Sequence, residues 1–202
     1  EKLTNKEQLI INSPQFKLVD SYAQRLVSGQ ERQMDILIEL GTTSKVDYTI
    51  EDYKGFIDVY CFESAYGSED QMLSKERLSI VTMLVMVDNA FKDPTFKYIE
   101  QLAFGSYSYE ATGALNLLFS LASANVRKEE TIKLIDWHAD KCNKNLLPKL
   151  LKFLLTTLAD QPTGNKTIAK IHNRMQFSSV HDDHGSSGGI WLKIKSWFKS
   201  FV

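Results

Sequence analysis

An all-α fold is what this sequence predicts, and three observations predict it. Apolar residues recur at helical spacing along nearly the whole chain, and helix start and stop signals punctuate them throughout. No run of useful length alternates apolar with polar residues as a half-buried strand does. The 202 residues, 43% hydrophobic and 24% charged, are enough for one domain with a sizeable core. Four prolines and ten glycines are few for this length, which favours long elements over tight turns.

The elements follow in order. Thr4 and Glu7 form a capping box, each side chain serving a backbone donor of the first turn. Ser13 then Pro14 is an N-cap followed by a residue whose missing N–H costs nothing at the first helical position. That helix runs to Ser28, carries Phe16, Val19, Ala23, Leu26 and Val27 on one stripe, and stops at Gly29. The next is expected over 30–40, closed by Gly41; residues 42–48 hold β-branched side chains but no partner strand, and read as a loop. A helix over 49–66, with Thr49 and Asp52 in the cap and third positions, ends at Gly67. Phe56, Val59 and Tyr60 mark its apolar stripe and Glu63 the edge of it. Further helices are expected over 74–91, from Asp93 and Pro94 to near Gly105, and over 108–124, 127–142, 145–159 and 165–176.

Eight to ten helices joined by short links make each antiparallel to the last. At roughly 35 to 40 residues per helix pair they fit α-solenoid stacking, and a compact helical bundle as well. The segment Asn145-Leu-Leu-Pro-Lys-Leu-Leu-Lys-Phe-Leu-Leu-Thr-Thr-Leu-Ala159, with Pro148 near its start and leucines at the inward positions, resembles the first helix of a HEAT-type repeat of the HEAT/armadillo class. The resemblance implies solenoid-like stacking. The arginine and aspartate that mark the family's second helix have no clean counterpart.

Composition divides the chain into a helical domain over 1–177, a Gly/Ser-rich linker over 178–189, and an amphipathic segment over 190–202. In the last, Trp191, Ile194, Trp197, Phe198 and Phe201 share a helical face while Lys193, Lys195 and Lys199 take other angles. Such a face suits anionic headgroups, a partner's groove, or this domain's own surface.

The net charge is only −1, so indiscriminate attraction to nucleic acid is excluded. The distribution is lopsided. Residues 30–70 hold ten acidic groups against three basic ones, a net of −7, and residues 126–176 hold ten basic against five acidic, a net of +5. Glu51, Asp52, Asp58 and Glu63 are the expected docking surface for a basic protein, since such a field speeds encounter and rejects acidic partners. Lys166, Lys170 and Arg174, at i, i+4 and i+8, form an expected anion-facing stripe opposite Ile168, Ile171 and Met175.

Chemistry-bearing motifs are sparse. The chain has no phosphate-cradling glycine loop, nucleophile elbow, His-Glu-x-x-His or kinase signature. His181-Asp-Asp-His184 offers four ligand types in a glycine-flanked stretch that lacks a rigid second shell, and reads as incidental. His138 and Cys142 lie one turn apart beside Asp136 and Asp140, with no second ligand pair elsewhere. The expectation is no metal, no cofactor and no catalysis. Cys61 and Cys142, 81 positions apart, read as small buried hydrophobes. The longest apolar run, 78–87, is far shorter than the roughly 20 residues a membrane span needs. A cytoplasmic, membrane-associating chain is expected, although a start at Glu1 without methionine leaves room for a removed leader. These features point to a protein-binding scaffold, of inhibitor or immunity type, with a peripheral membrane adaptor as the alternative.

Overall fold

In the computed structural model, which describes residues 4–43, 48–67, 70–88, 91–106, 108–157 and 162–179, the chain is all-helical. Ten α-helices are present among those residues: α1 (Asn5–Ile11), α2 (Pro14–Val27), α3 (Gln33–Thr43), α4 (Ile50–Tyr66), α5 (Gln71–Val87), α6 (Lys92–Ala103), α7 (Tyr109–Ser123), α8 (Lys128–His138), α9 (Leu147–Thr157) and α10 (Pro162–Ser179). A 3-10 turn, Lys144–Leu146, leads into α9. No strand occurs among the described residues.

Local chemistry places most of these ends. The capping boxes at Thr4/Glu7 and Thr49/Asp52 are both complete, and Ser13 and Ser108 accept hydrogen bonds from Phe16 and Ala111. Gly29 and Gly67 take positive φ values of 70° and 56°, as helix stops of this kind require. Several boundaries differ from expectation. α3 passes through Gly41 to Thr43, with Gly41 beside Val87 of α5. α5 starts earlier than Ser74, because the Asp70 carboxylate accepts from the Met72 and Leu73 amides at 2.9 and 3.1 Å. It ends at Asp88, whose carboxylate accepts from the Phe91 amide at 2.8 Å and the Thr95 hydroxyl at 2.6 Å, tying α5 to α6. α8 stops at His138, and α10 continues through Ser178 and Ser179, past the expected domain edge at 177.

The helices stack in two layers. α2, α4, α6, α8 and α10 touch in succession, and α3, α5, α7 and α9 do likewise on the other side. Successive members of a layer run parallel where side chains fix their direction. Asp93 and Glu100 of α6 meet Arg127 and His138 at the two ends of α8. Asp136 of α8 meets Thr167, and the carbonyl of Cys142 meets Arg174 farther along α10. Helices of one layer start at positions 14, 50, 92, 128 and 162, a step close to that of two-helix repeats. Such layering fits solenoid stacking and a compact helical bundle alike.

The core runs between the layers, with Ile36, Leu40, Phe56, Ile57, Ile80, Leu84, Ile99, Leu115 and Leu118 each at most 1% exposed. Burying one such side chain contributes roughly 1.5 to 3 kcal/mol. The tightest crossing is α4 on α7. A Cβ on Gly113 would fall 2.6 Å from the Cys61 Cα, so glycine is what lets the two helices approach. Cys61 and Cys142 are both free and buried. No helix among the described residues is long and apolar enough to cross a membrane.

Candidate functional site

Three of the four carboxylates expected to form the acidic docking surface are engaged inside the protein. Glu63 is 3% exposed, not at the edge of its stripe but inside, and Arg77 of α5 pairs with it at 3.3 Å. A charge so buried serves no docking surface. Asp52 caps α4 through the Thr49 amide at 2.8 Å and accepts from Gln15 at 2.9 Å; the cap holds its carboxyl below the usual carboxylate range. Asp58 accepts from the Tyr98 hydroxyl at 2.9 Å, and burial pushes its carboxyl above that range. Only Glu51 stands well out in solvent, paired at 2.7 Å with Lys54 on its own helix.

The cationic stripe is likewise corrected. Lys166 is exposed. Lys170 donates to the Asp136 carbonyl at 2.7 Å and pairs with Asp140 at 2.8 Å. The Arg174 guanidinium donates to the carbonyls of Ala139 and Cys142 at 2.5 and 2.7 Å. These two cations satisfy carbonyls left over where α8 ends, the end of a helix that attracts positive charge, and so face α8 instead of an outside anion. His138 stacks on Phe104 with centroids 4.2 Å apart and meets Glu100 at 3.1 Å, away from Cys142. No group of three or more His, Cys, Asp or Glu side chains converges on a metal site among the described residues. The expected linker with His181 and His184, and the segment with Trp191, Lys193, Ile194, Lys195, Trp197, Phe198, Lys199 and Phe201, lie outside the described residues.

The acidic half of the molecule does retain an exposed surface, on α3. Ile36 and Leu40 turn inward, fully buried. Met34 and Ile38, one turn apart on the outer side, are 61% and 62% exposed. Helical spacing sets Asp35 and Glu39 beside this pair, and Glu31, just before α3, shares Arg25 with Glu39. Arg25 bridges Glu31 and Glu39 at 2.6 Å each, and Arg32 meets Asp35 at 3.0 Å. Hydrogen bonds from Arg25 and then Tyr22 hold the Glu39 carboxyl low, and Arg32 does the same for Asp35. Three carboxylates against two guanidinium groups leave the strip net negative. Its signal in the sequence was the pair Met34 and Ile38, apolar at helical spacing yet off the Ile36/Leu40 stripe.

A second exposed apolar feature is Trp137 of α8, 66% exposed, with the Lys141 ammonium 4.9 Å from its ring. Its surroundings mix Arg127 and Lys133 with Asp93 and Glu130, so they carry no preferred sign.

Compared with protein-family models, curated proteins and solved structures, the chain matches none. The class defined by its own geometry is an all-α protein.

Proposed function

We propose that this chain is a non-enzymatic protein-binding module, a HEAT-like helical scaffold that offers an acidic surface to a basic protein partner in the manner of an inhibitor or immunity-type protein. The observation that carries the reading is the α3 strip, where Met34 and Ile38 stand exposed beside Glu31, Asp35 and Glu39. Apolar anchors with a charged border are the composition of a docking patch: the anchors supply affinity and the charges supply rate and selectivity. The partner that fits carries an apolar pocket bordered by lysine or arginine.

The test begins with affinity capture from the native cell and continues with the purified candidate. Met34→Ser with Ile38→Ser is expected to weaken binding roughly tenfold or more, and Asp35→Lys to slow association and flatten its salt dependence. Unchanged affinity and rate in both variants would remove α3 from the interface.

A second reading, the peripheral membrane adaptor, rests on the aromatic and lysine pattern of residues 190–202. With Lys170 and Arg174 engaged by α8, Lys166 is what remains of the basic face for lipid. Co-sedimentation with anionic vesicles, lost on deletion of 190–202, is the expected result; binding that survives the deletion would discard the tail's role.

A further inference from the structure

The opposite electrical character appears on the layer formed by α5, α7 and α9. Asn116, Phe119, Ser120 and Ser123 lie at i, i+3, i+4 and i+7 on α7 and make its outward stripe, none of them fully buried. Two cavities flank that stripe. One, of about 410 Å³, lies toward α5, is floored by Tyr60, Leu78 and Met83, and has Lys75 in its lining. The other, of about 360 Å³, lies toward α9 over the stacked rings of Phe119 and Phe153, with Lys149 and Lys152 in its lining.

No carboxylate lines either cavity, in a chain whose acidic groups outnumber its basic ones. Lys75, Lys149 and Lys152 are exposed and make no ion pair among the described residues. Arg25, Arg77, Arg127 and Lys170 each engage a carboxylate, while other exposed lysines such as Lys17, Lys97 and Lys166 make no ion pair among the described residues. What sets Lys75, Lys149 and Lys152 apart is their place at cavities that no carboxylate lines. Three unpaired lysines around two cavities with apolar floors are complementary to something anionic and partly apolar.

We propose that this face binds an extended acidic peptide segment laid across α7, from the α5 cavity to the α9 cavity. Helices packed side by side lie about 8 to 10 Å apart, so crossing from α5 to α9 covers on the order of 20 Å. At about 3.3 Å per extended residue that is about six residues. An extended strand turns alternate side chains to opposite sides, so apolar residues reach the floors of Tyr60, Leu78 and Phe119 while acidic neighbours meet the rim lysines. Gln33, Ser79 and Ser123 offer hydrogen bonds to the peptide backbone. A nucleic acid fits this face less well: three lysines neutralise few phosphates, and backbone neutralisation dominates that kind of binding. The surface is distinct from the α3 strip in its charge and in its partner.

The experiment uses the full chain and a fluorescein-labelled peptide of about ten residues in which glutamate alternates with leucine, long enough to exceed the span. Fluorescence anisotropy is expected to show saturable binding, and the triple variant Lys75→Glu, Lys149→Glu, Lys152→Glu to weaken it by roughly tenfold or more. Ser123→Trp, an uncharged obstruction at an exposed rim position, is expected to weaken it as well while leaving the far-ultraviolet circular dichroism unchanged. A peptide with lysine in place of glutamate should not bind. The proposal is overturned if Ser123→Trp and the folded triple variant bind the acidic peptide as the parent does. It is overturned equally if a single-stranded oligonucleotide or anionic vesicles bind more tightly than the peptide with the same lysine dependence. Should the triple variant fail to fold, Ser123→Trp and the lysine peptide decide the matter.

Discussion

Arg77 and the buried carboxylate of Glu63 meet at 3.3 Å across the α4/α5 pair, and the same guanidinium holds Asp20 of α2 at 2.5 Å. The Arg77 side chain is 11% exposed, that of Glu63 is 1% and that of Asp20 is 23%, so one cation bridges two carboxylates from different helices, the deeper of them out of water. Phe16 covers it, with the guanidinium carbon 5.0 Å from the ring centre.

Removing the cation from such a cluster costs more than removing one anion, because it leaves two carboxylates uncompensated in a poor solvent. Arg77→Met is expected to destabilise the fold by about 3 to 5 kcal/mol. Glu63→Gln should cost distinctly less, since Arg77 keeps Asp20 and the amide oxygen still accepts. Urea unfolding of the two variants checks the order, and an equal or reversed order would show that the cluster is not held together by its cation.

Arg174 ties α10 to the end of α8 through two main-chain carbonyls. Hydrogen bonds from a charged donor contribute roughly 1.5 to 3 kcal/mol each way they are broken, so Arg174→Gln should lower stability by at least the smaller figure. The same variant should bind anionic vesicles as the parent does. A loss of vesicle binding with stability unchanged would restore Arg174 as an outward-facing cation.

Gly113→Ala asks whether the α4/α7 crossing can open. The added methyl meets the Cys61 backbone at 2.6 Å, and backbone cannot rotate away. Overpacking of this kind costs about 1 to 3 kcal/mol, read as a drop in thermal midpoint. Burial also pushes the Cys61 thiol up to about 12, so in the native parent the thiol should resist alkylation at neutral pH, and in Gly113→Ala it should react faster.

Asp58 carries a pH dependence of known sign. Burial raises its carboxyl pKa in the folded state, so the folded protein binds that proton more tightly than the unfolded chain. Its contribution is therefore most favourable below the ordinary carboxylate pKa and declines as pH rises through the raised value. Asp58→Asn, which can still accept from Tyr98, should gain stability relative to the parent on going from about pH 3 to about pH 7. A difference that stays flat over that interval, or runs the other way, would show that Asp58 is solvated. Asp35, Asp52 and Glu39 run oppositely, because their partners lower their carboxyl pKa values and that stability is lost as pH falls.

Much of the fold was legible because its determinants are local. Thr4/Glu7 and Thr49/Asp52 close their capping boxes within four residues, and Gly67 stops α4 by its own conformational freedom. The apolar stripe on α2 placed Val19 and Ala23 inside, where they are found. Two boundaries misread from sequence were set by caps that are themselves local, Asp70 on the Met72 and Leu73 amides and Asp88 on Phe91 and Thr95. α3 runs on through Gly41, a residue read as a stop, and Val87, 46 positions along, lies beside it.

By itself the sequence determined that the chain is helical, roughly where each helix lies, and that Cys61 and Cys142 are buried, because period and capping act within a few residues of chain. Which charges are free to meet another molecule was decided only by tertiary structure. Glu63 finds Arg77, Asp58 finds Tyr98, and Arg174 finds the carbonyl of Ala139, while Lys75, Lys149 and Lys152 make no ion pair among the described residues. A side chain's charge is written in its own identity, but its availability depends on what stands opposite, and that is settled only when helices far apart in sequence are packed together.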